Sequence, residues 1–282
     1  MRFGFLLQLF VAFSLFASLP LRANTLGEIP FQYRDGFLWL KVRAAGQREP
    51  LNFLLDSGAS SSVLNIQAAR RLNVKLGSSQ SVHGVHSQTI AYRVNGFRAE
   101  AAGITLPEAL LAIDLSGVSK TVHQPIDGLL GADFLRSHIV QIDFAARKVR
   151  VLDHAQPDGR SAVLPIKWCN DAICVSVGVA GNSPQWMRLD TGCESALEWA
   201  PGKAMANRDP GTRDVSIGLS SASIRYIRAD VHLGSHKLSG VEIGVHPQQI
   251  FSGERGLLGN GVLSQFRVTI DTPGHRVILE KS

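Results

Sequence analysis

Leu54-Leu55-Asp56-Ser57-Gly58-Ala59 and Arg188-Leu189-Asp190-Thr191-Gly192-Cys193 are the two stretches on which the reading turns. Each is an apolar run that ends in Asp-Ser/Thr-Gly. One such tripeptide is weak evidence: average residue usage produces it about once in 2,000 positions, and Asp and Gly are ordinary turn residues. Two at matching places in a repeat carry far more weight. The aspartates lie 134 residues apart, and at that offset Gly84 meets Gly218, Ile90 meets Ile224 and Tyr92 meets Tyr226. Further on the offset falls to 128: Gly128-Leu129-Leu130-Gly131 meets Gly256-Leu257-Leu258-Gly259, Ile142-Asp143 meets Ile270-Asp271, and Val149 meets Val277. The ordered series reads as a duplicated unit of roughly 120 to 130 residues.

Working outward, each copy opens on a short apolar run (Ile29–Tyr33; Leu164–Trp168), then a turn, then an alternating strand (Phe37–Val42; Ile173–Val179). Runs of four to eight Val, Ile, Leu and Phe bounded by Gly, Pro, Asn and Asp predict strands throughout. A helix is predicted over Leu64–Leu72 with Asn65 as its cap, and a second, short one over Ala132–Ser137. The expected fold is mainly β: two homologous β-barrel-like lobes related by a pseudo-two-fold axis, with a few short helices. The lobes are placed at residues 27–153 and 163–282, with the polar, Pro/Gly-containing stretch 154–162 as linker.

The composition narrows the function classes. The 282 residues are 45% hydrophobic and 18% charged, which excludes a disordered chain. Only one apolar run is long enough to matter to a membrane, so a polytopic membrane protein is excluded as well. The net charge of +6 is scattered, with no basic stripe interleaved with aromatics, so no nucleic-acid partner is expected. Residues 1–23 combine Arg2, an apolar stretch from Phe3 to about Leu19 and a passable cleavage site at Leu21-Arg22-Ala23. They read as a secretory signal peptide, the alternative being an uncleaved N-terminal membrane anchor. In both cases the protein is exported to the periplasm or cell envelope. Three cysteines are too few for a disulfide scaffold. An oxidising compartment would allow Cys169 and Cys174 to pair across a hairpin, the alternative being free thiols. No ligand spacing suggests a metal, and no cofactor is expected.

An ionisable carboxylate at the end of a buried strand is costly to desolvate. One in each copy makes sense if a two-fold axis brings the two together. Carboxylates about 3 Å apart would repel by roughly 5 kcal/mol at an effective dielectric near 20, and they avoid this by sharing a proton. The ionised member can then activate a water, while the protonated one donates to a peptide carbonyl oxygen. Which aspartate holds the proton is left open at this stage.

Through Asp56-Ser57-Gly58-Ala59-Ser60 with Leu129-Leu130-Gly131, and Asp190-Thr191-Gly192 with Leu257-Leu258-Gly259, the chain resembles the aspartic peptidases of the pepsin and retropepsin clan. The wording Gly128-Leu-Leu-Gly-Ala-Asp-Phe-Leu135 is most similar to bacterial retropepsin-like proteins, here as two tandem lobes in one chain. The resemblance covers about Gly27 to Leu279. It implies a substrate cleft between the lobes with Asp56 and Asp190 as catalytic dyad. It also implies that Ser57 and Thr191 link the active-site turns through their hydroxyls, that Gly58 and Gly192 allow close approach, and that Leu130, Gly131, Leu258 and Gly259 pack beneath the aspartate loops. Cys193-Glu194 departs from pepsin-type chains, which usually have small hydroxyl residues there.

Ser81–Ser87, with His83, Gly84 and Val85, suits a hairpin flap over substrate, and the stretch around Gly218 suits a second; an ordinary surface hairpin is the alternative for each. The function expected is that of an aspartic endopeptidase acting on a peptide or protein substrate, as a monomer with pseudo-dimeric lobes. The competing reading is a catalytically weak or inactive peptide-binding module of the same fold.

Overall fold

The computed structural model describes residues 23–84, 87–107, 110–179, 181–202, 212–217 and 220–281. Most of the segment read as an export signal, residues 1–22, lies outside the described residues, as do Val85 and Gly218. Among the described residues no helix is long and apolar enough to cross a membrane.

The chain is mainly β with a few short helices, as expected. The first half runs β1 (Thr25–Arg34), β2 (Phe37–Ala44), β3 (Leu51–Leu55), β4 (Val63–Asn65), α1 (Ile66–Arg71), β5 (Lys75–Gly84), β6 (Ser87–Asn95), β7 (Ala99–Ala101), β8 (Ile104–Thr105), β9 (Leu110–Ile113), α2 (Ser116–Thr121), β10 (Gly128–Leu130), α3 (Ala132–Arg136), β11 (Ile139–Asp143) and β12 (Lys148–Leu152). The second runs β13 (Ala162–Cys169), β14 (Ala172–Val179), β15 (Gln185–Leu189), β16 (Leu197–Trp199), β17 (Thr212–Ile217), β18 (Ser220–Leu233), β19 (His236–Val245), β20 (Gly256–Leu258), α4 (Asn260–Leu263), β21 (Phe266–Asp271) and β22 (Arg276–Lys281). The predicted helix at Leu64–Leu72 is shorter than its pattern, because Val63–Asn65 pairs as a strand; Asn65 still caps it, accepting from the Gln67 N–H. Helices α2 and α4 were not foreseen, being only six and four residues long.

The strands of the two halves pair in the same order. In the first, β3 lies parallel to β10, which is antiparallel to β4, which is parallel to β9. In the second, β15 lies parallel to β20, which is antiparallel to β16, which is parallel to β19. Of these, β3, β4, β10, β16 and β20 are short and largely buried, as strands covered on both faces must be. Strands β11 and β21 join the halves edge to edge, with Gln141 opposite Thr269. That pairs two positions 128 apart, the offset of the sequence repeat, so a local two-fold passes between these two strands.

The halves are also joined at the turns after β3 and β15. Buried Ser57 donates its hydroxyl to the Leu189 carbonyl (2.7 Å), and Thr191 donates its own to the Leu55 carbonyl (2.8 Å). Each hydroxyl also accepts from the other's backbone, Ser57 N to Thr191 Oγ1 at 2.9 Å and Thr191 N to Ser57 Oγ at 3.0 Å. Four buried backbone groups that no sheet reaches are thereby satisfied.

The anticipated Cys169–Cys174 bridge is not formed: both are free, buried thiols. The register gives the reason. Cys169 sits opposite Ala172, and Cys174 sits opposite Lys167. The cysteines are therefore diagonal neighbours, which lie about 7–8 Å apart across a ladder, beyond the usual reach of a disulfide. Burial pushes the Cys174 thiol up.

Ser57→Ala leaves the Thr191 N–H buried without an acceptor and is expected to cost about 2–4 kcal/mol, read as a lower midpoint in urea unfolding. Thr191→Val does the same to the Ser57 N–H, whereas Thr191→Ser stays near wild type. The double variant Ser57→Ala/Thr191→Val loses less than the sum, because the two residues form one network.

Candidate active site

The turns just described carry the two aspartates. Asp56 follows β3 and Asp190 follows β15, and each backbone N–H is tied to the strand beside it: Asp56 N to Leu130 O and Asp190 N to Leu258 O, both 2.9 Å. Leu130 and Leu258 thus lie beneath the turns, in register with Leu55 and Leu189. Gly131 and Gly259 follow them where a side chain has no room: a methyl on Gly131 would strike the Ala59 and Ser61 carbonyls, and one on Gly259 those of Cys193 and Ser195.

The motif glycines show how close the turns come. A methyl on Gly58 would overlap the Asp190 carboxyl, and one on Gly192 would overlap that of Asp56. Close approach requires glycine at both positions. The carboxyls are close enough that each shifts the other's affinity for a proton. Burial raises both above the usual carboxylate range. Asp190 is pushed up to about 8, first by burial and then by the charge of Asp56. Asp56 is held back by two N–H donors, Gly58 and Ala59, both 3.0 Å from its Oδ1. Asp190 takes one, from Gly192 at 2.9 Å. Asp56 is therefore the better home for the negative charge, and Asp190 for the proton.

Both aspartates line an open cleft whose walls are largely apolar, as ligand-binding clefts usually are. Val82, His83 and Gly84 of the β5–β6 hairpin line it too, so the first of the two expected flaps reaches the cleft. The β17–β18 hairpin pairs as far as Ile217 with Ser220.

The walls differ at corresponding registers. Leu129 lies beside Leu54 and Val63, whereas Leu257 lies beside Arg188 and Glu198, and all six line the cleft. Arg188 is 4% exposed. It grips buried Glu254 with Nε at 2.7 Å and Nη2 at 2.5 Å, stacks 3.6 Å over the Phe251 ring, and donates from Nη1 to the Gly58 carbonyl at 2.7 Å. Glu198 is bonded to His246 at 2.7 Å, both buried. Asn260 donates to the Thr191 and Gly36 carbonyls, both at 2.7 Å. None of these polar residues stood out in the sequence. The available signal was Arg188 itself, an arginine where the first copy has Leu54. The remaining acids act locally: Asp133 holds the Ser62 hydroxyl and N–H, and Asp127 the Asn52 N–H and Arg71. Among the described residues no group of three or more His, Cys, Asp or Glu is placed to hold a metal ion.

Comparison with known proteins agrees with this chemistry. Residues 40–134 match the family model described as aspartyl protease. The retrovirus-related Pol polyprotein from transposon 412 of Drosophila melanogaster is 30% identical over 93 residues, which are 33% of this chain. The match spans 7% of that relative's length. The chain is thus similar to aspartyl proteases over a stretch of its first half that contains Asp56, Leu130 and Gly131.

Proposed function

We propose that the protein is an aspartic endopeptidase whose catalytic pair is Asp56 and Asp190, built from two lobes, residues 27–153 and 163–282. The observation that carries this reading is the mutual packing of each motif glycine against the other motif's carboxyl, which leaves two acids able to share one proton in an open cleft. Asp56 takes a proton from a water held between the carboxyls as that water attacks the peptide carbonyl carbon. Asp190 gives its proton to the carbonyl oxygen. The tetrahedral diol then collapses: Asp56 passes its proton to the departing nitrogen, and Asp190 regains one from a diol hydroxyl. The C–N bond breaks, an acid and an amine form, and the pair returns to its starting state. The β5–β6 hairpin, with His83 and Gly84, lies where it can close over the bound chain.

A diverse peptide pool tests this directly. Wild-type protein is expected to cut internal bonds, and Asp56→Asn or Asp190→Asn to lower kcat by about 1,000-fold with thermal unfolding little changed. Peptides retained uncut by folded wild type would favour a binding module instead. The pH profile is a second check. The pair is active while it holds one proton, so kcat/KM falls as pH rises through about 8, where Asp190 loses its proton, and falls again on the acid side as Asp56 takes one up. A profile already flat at zero by pH 6 would contradict the assigned environment. The apolar segment near the N-terminus supports export: fractionated cells are expected to hold the protein in the periplasm or envelope, and recovery from the cytoplasm alone would overturn that placement.

A further inference from the structure

A duplicated pair of turns should treat its two aspartates alike, yet Asp56 accepts two backbone N–H groups and Asp190 one. The extra donor is the Ala59 N–H. Both turns share one bond, Ala59 N to the Asp56 backbone carbonyl at 3.2 Å and Cys193 N to that of Asp190 at 3.3 Å, but the Ala59 N–H is shared with Asp56 Oδ1 at 3.0 Å as well. The Ala59 N–H belongs to the same peptide unit as the Gly58 carbonyl, and in a trans peptide the two point in opposite directions. That carbonyl is held at 2.7 Å by Arg188. Where Arg188 stands in the second copy, the first has Leu54, which has nothing to donate to the other turn.

We propose that Arg188 is a positioning residue of the acid pair: by holding the Gly58 carbonyl it turns the Gly58–Ala59 peptide so that its N–H faces Asp56, which makes Asp56 the ionised member and Asp190 the proton holder. Glu254 and Phe251 hold the guanidinium in place from the other side. The cation itself acts in the same sense on the pair as a whole, favouring one ionised carboxylate in a site that burial would otherwise keep neutral. The other titratable groups lining the cleft are His83, Cys193, Glu194 and Glu198. Burial raises both the Cys193 thiol and the Glu194 carboxyl, which disfavours a competing negative charge at either.

This inference rests on the endopeptidase reading for its consequence, but its test does not need activity. In protein labelled with ¹³C at the aspartate carboxyls, NMR titration without substrate reads both groups, assigned through Asp56→Asn and Asp190→Asn. In Arg188→Met/Glu254→Met, which leaves no orphaned charge, the acidic transition of the pair is expected to rise by about 1 pH unit, the low end for loss of a neighbouring cation. The separation between the two aspartates shrinks, and in the cleavage assay kcat falls about tenfold with KM within about twofold. Arg188→Lys keeps the cation without the planar fork and is expected to move the titration by about half as much. If the double variant does not fold, Arg188→Lys carries the test. A folded variant with wild-type carboxyl titration overturns the proposal, even if its kcat is lower. Wild type that cuts no peptide while Arg188 variants shift the titration overturns the endopeptidase reading and leaves the role of Arg188 standing.

Discussion

Four hydrogen bonds between two turns hold the chemistry of this molecule in place. Ser57 and Thr191 each donate to the carbonyl that precedes the other's aspartate and accept from the other's backbone. Hydroxyls are the smallest side-chain groups that can do both at once, and here they are fully enclosed. The clamp sets the distance between Asp56 and Asp190. Two carboxyls packed this closely disfavour a second negative charge, which is the basis of the proposed acid–base pair. The Leu130 and Leu258 carbonyls fix the same turns from below, so the carboxyls have little room to separate and relieve their repulsion.

On this symmetric frame sits an asymmetric lining. The wall from the first half is apolar, continuous with a buried cluster that includes Phe37, Trp39, Leu54 and Ile113. At equivalent registers the second half places Arg188 and Glu198, each bound to a buried partner. Buried ion pairs are costly to assemble and contribute little net stability compared with well-packed apolar groups. Their presence beside two acids, rather than deep in the main core, is the expected signature of a site that trades stability for electrostatics. The consequence is that a frame able to hold its acids alike holds them differently.

Much of this could be read along the chain. The Asp-Ser/Thr-Gly turns, the Gly-Leu-Leu-Gly runs and the near-constant offset are all local patterns; the turns follow β3 and β15, and the Leu-Leu pairs run beside those strands. The disulfide failed because two cysteines flanking a turn say nothing of whether they end up opposite or diagonal; one residue of register decides it. Helix α4 was missed because a single turn of helix, with no apolar period to display, leaves little trace in sequence.

What the amino-acid order determined by itself is the repeat, the strand-rich character and the two acids with their glycines, since turn geometry and burial period depend on near neighbours. What only the tertiary structure decided is the inequivalence of the acids. Arg188 reaches the Gly58 carbonyl across 130 residues of chain, and Glu254 reaches Arg188 across 66. Such contacts depend on the packing of one turn against another, and no spacing along the chain encodes which peptide plane a guanidinium will hold.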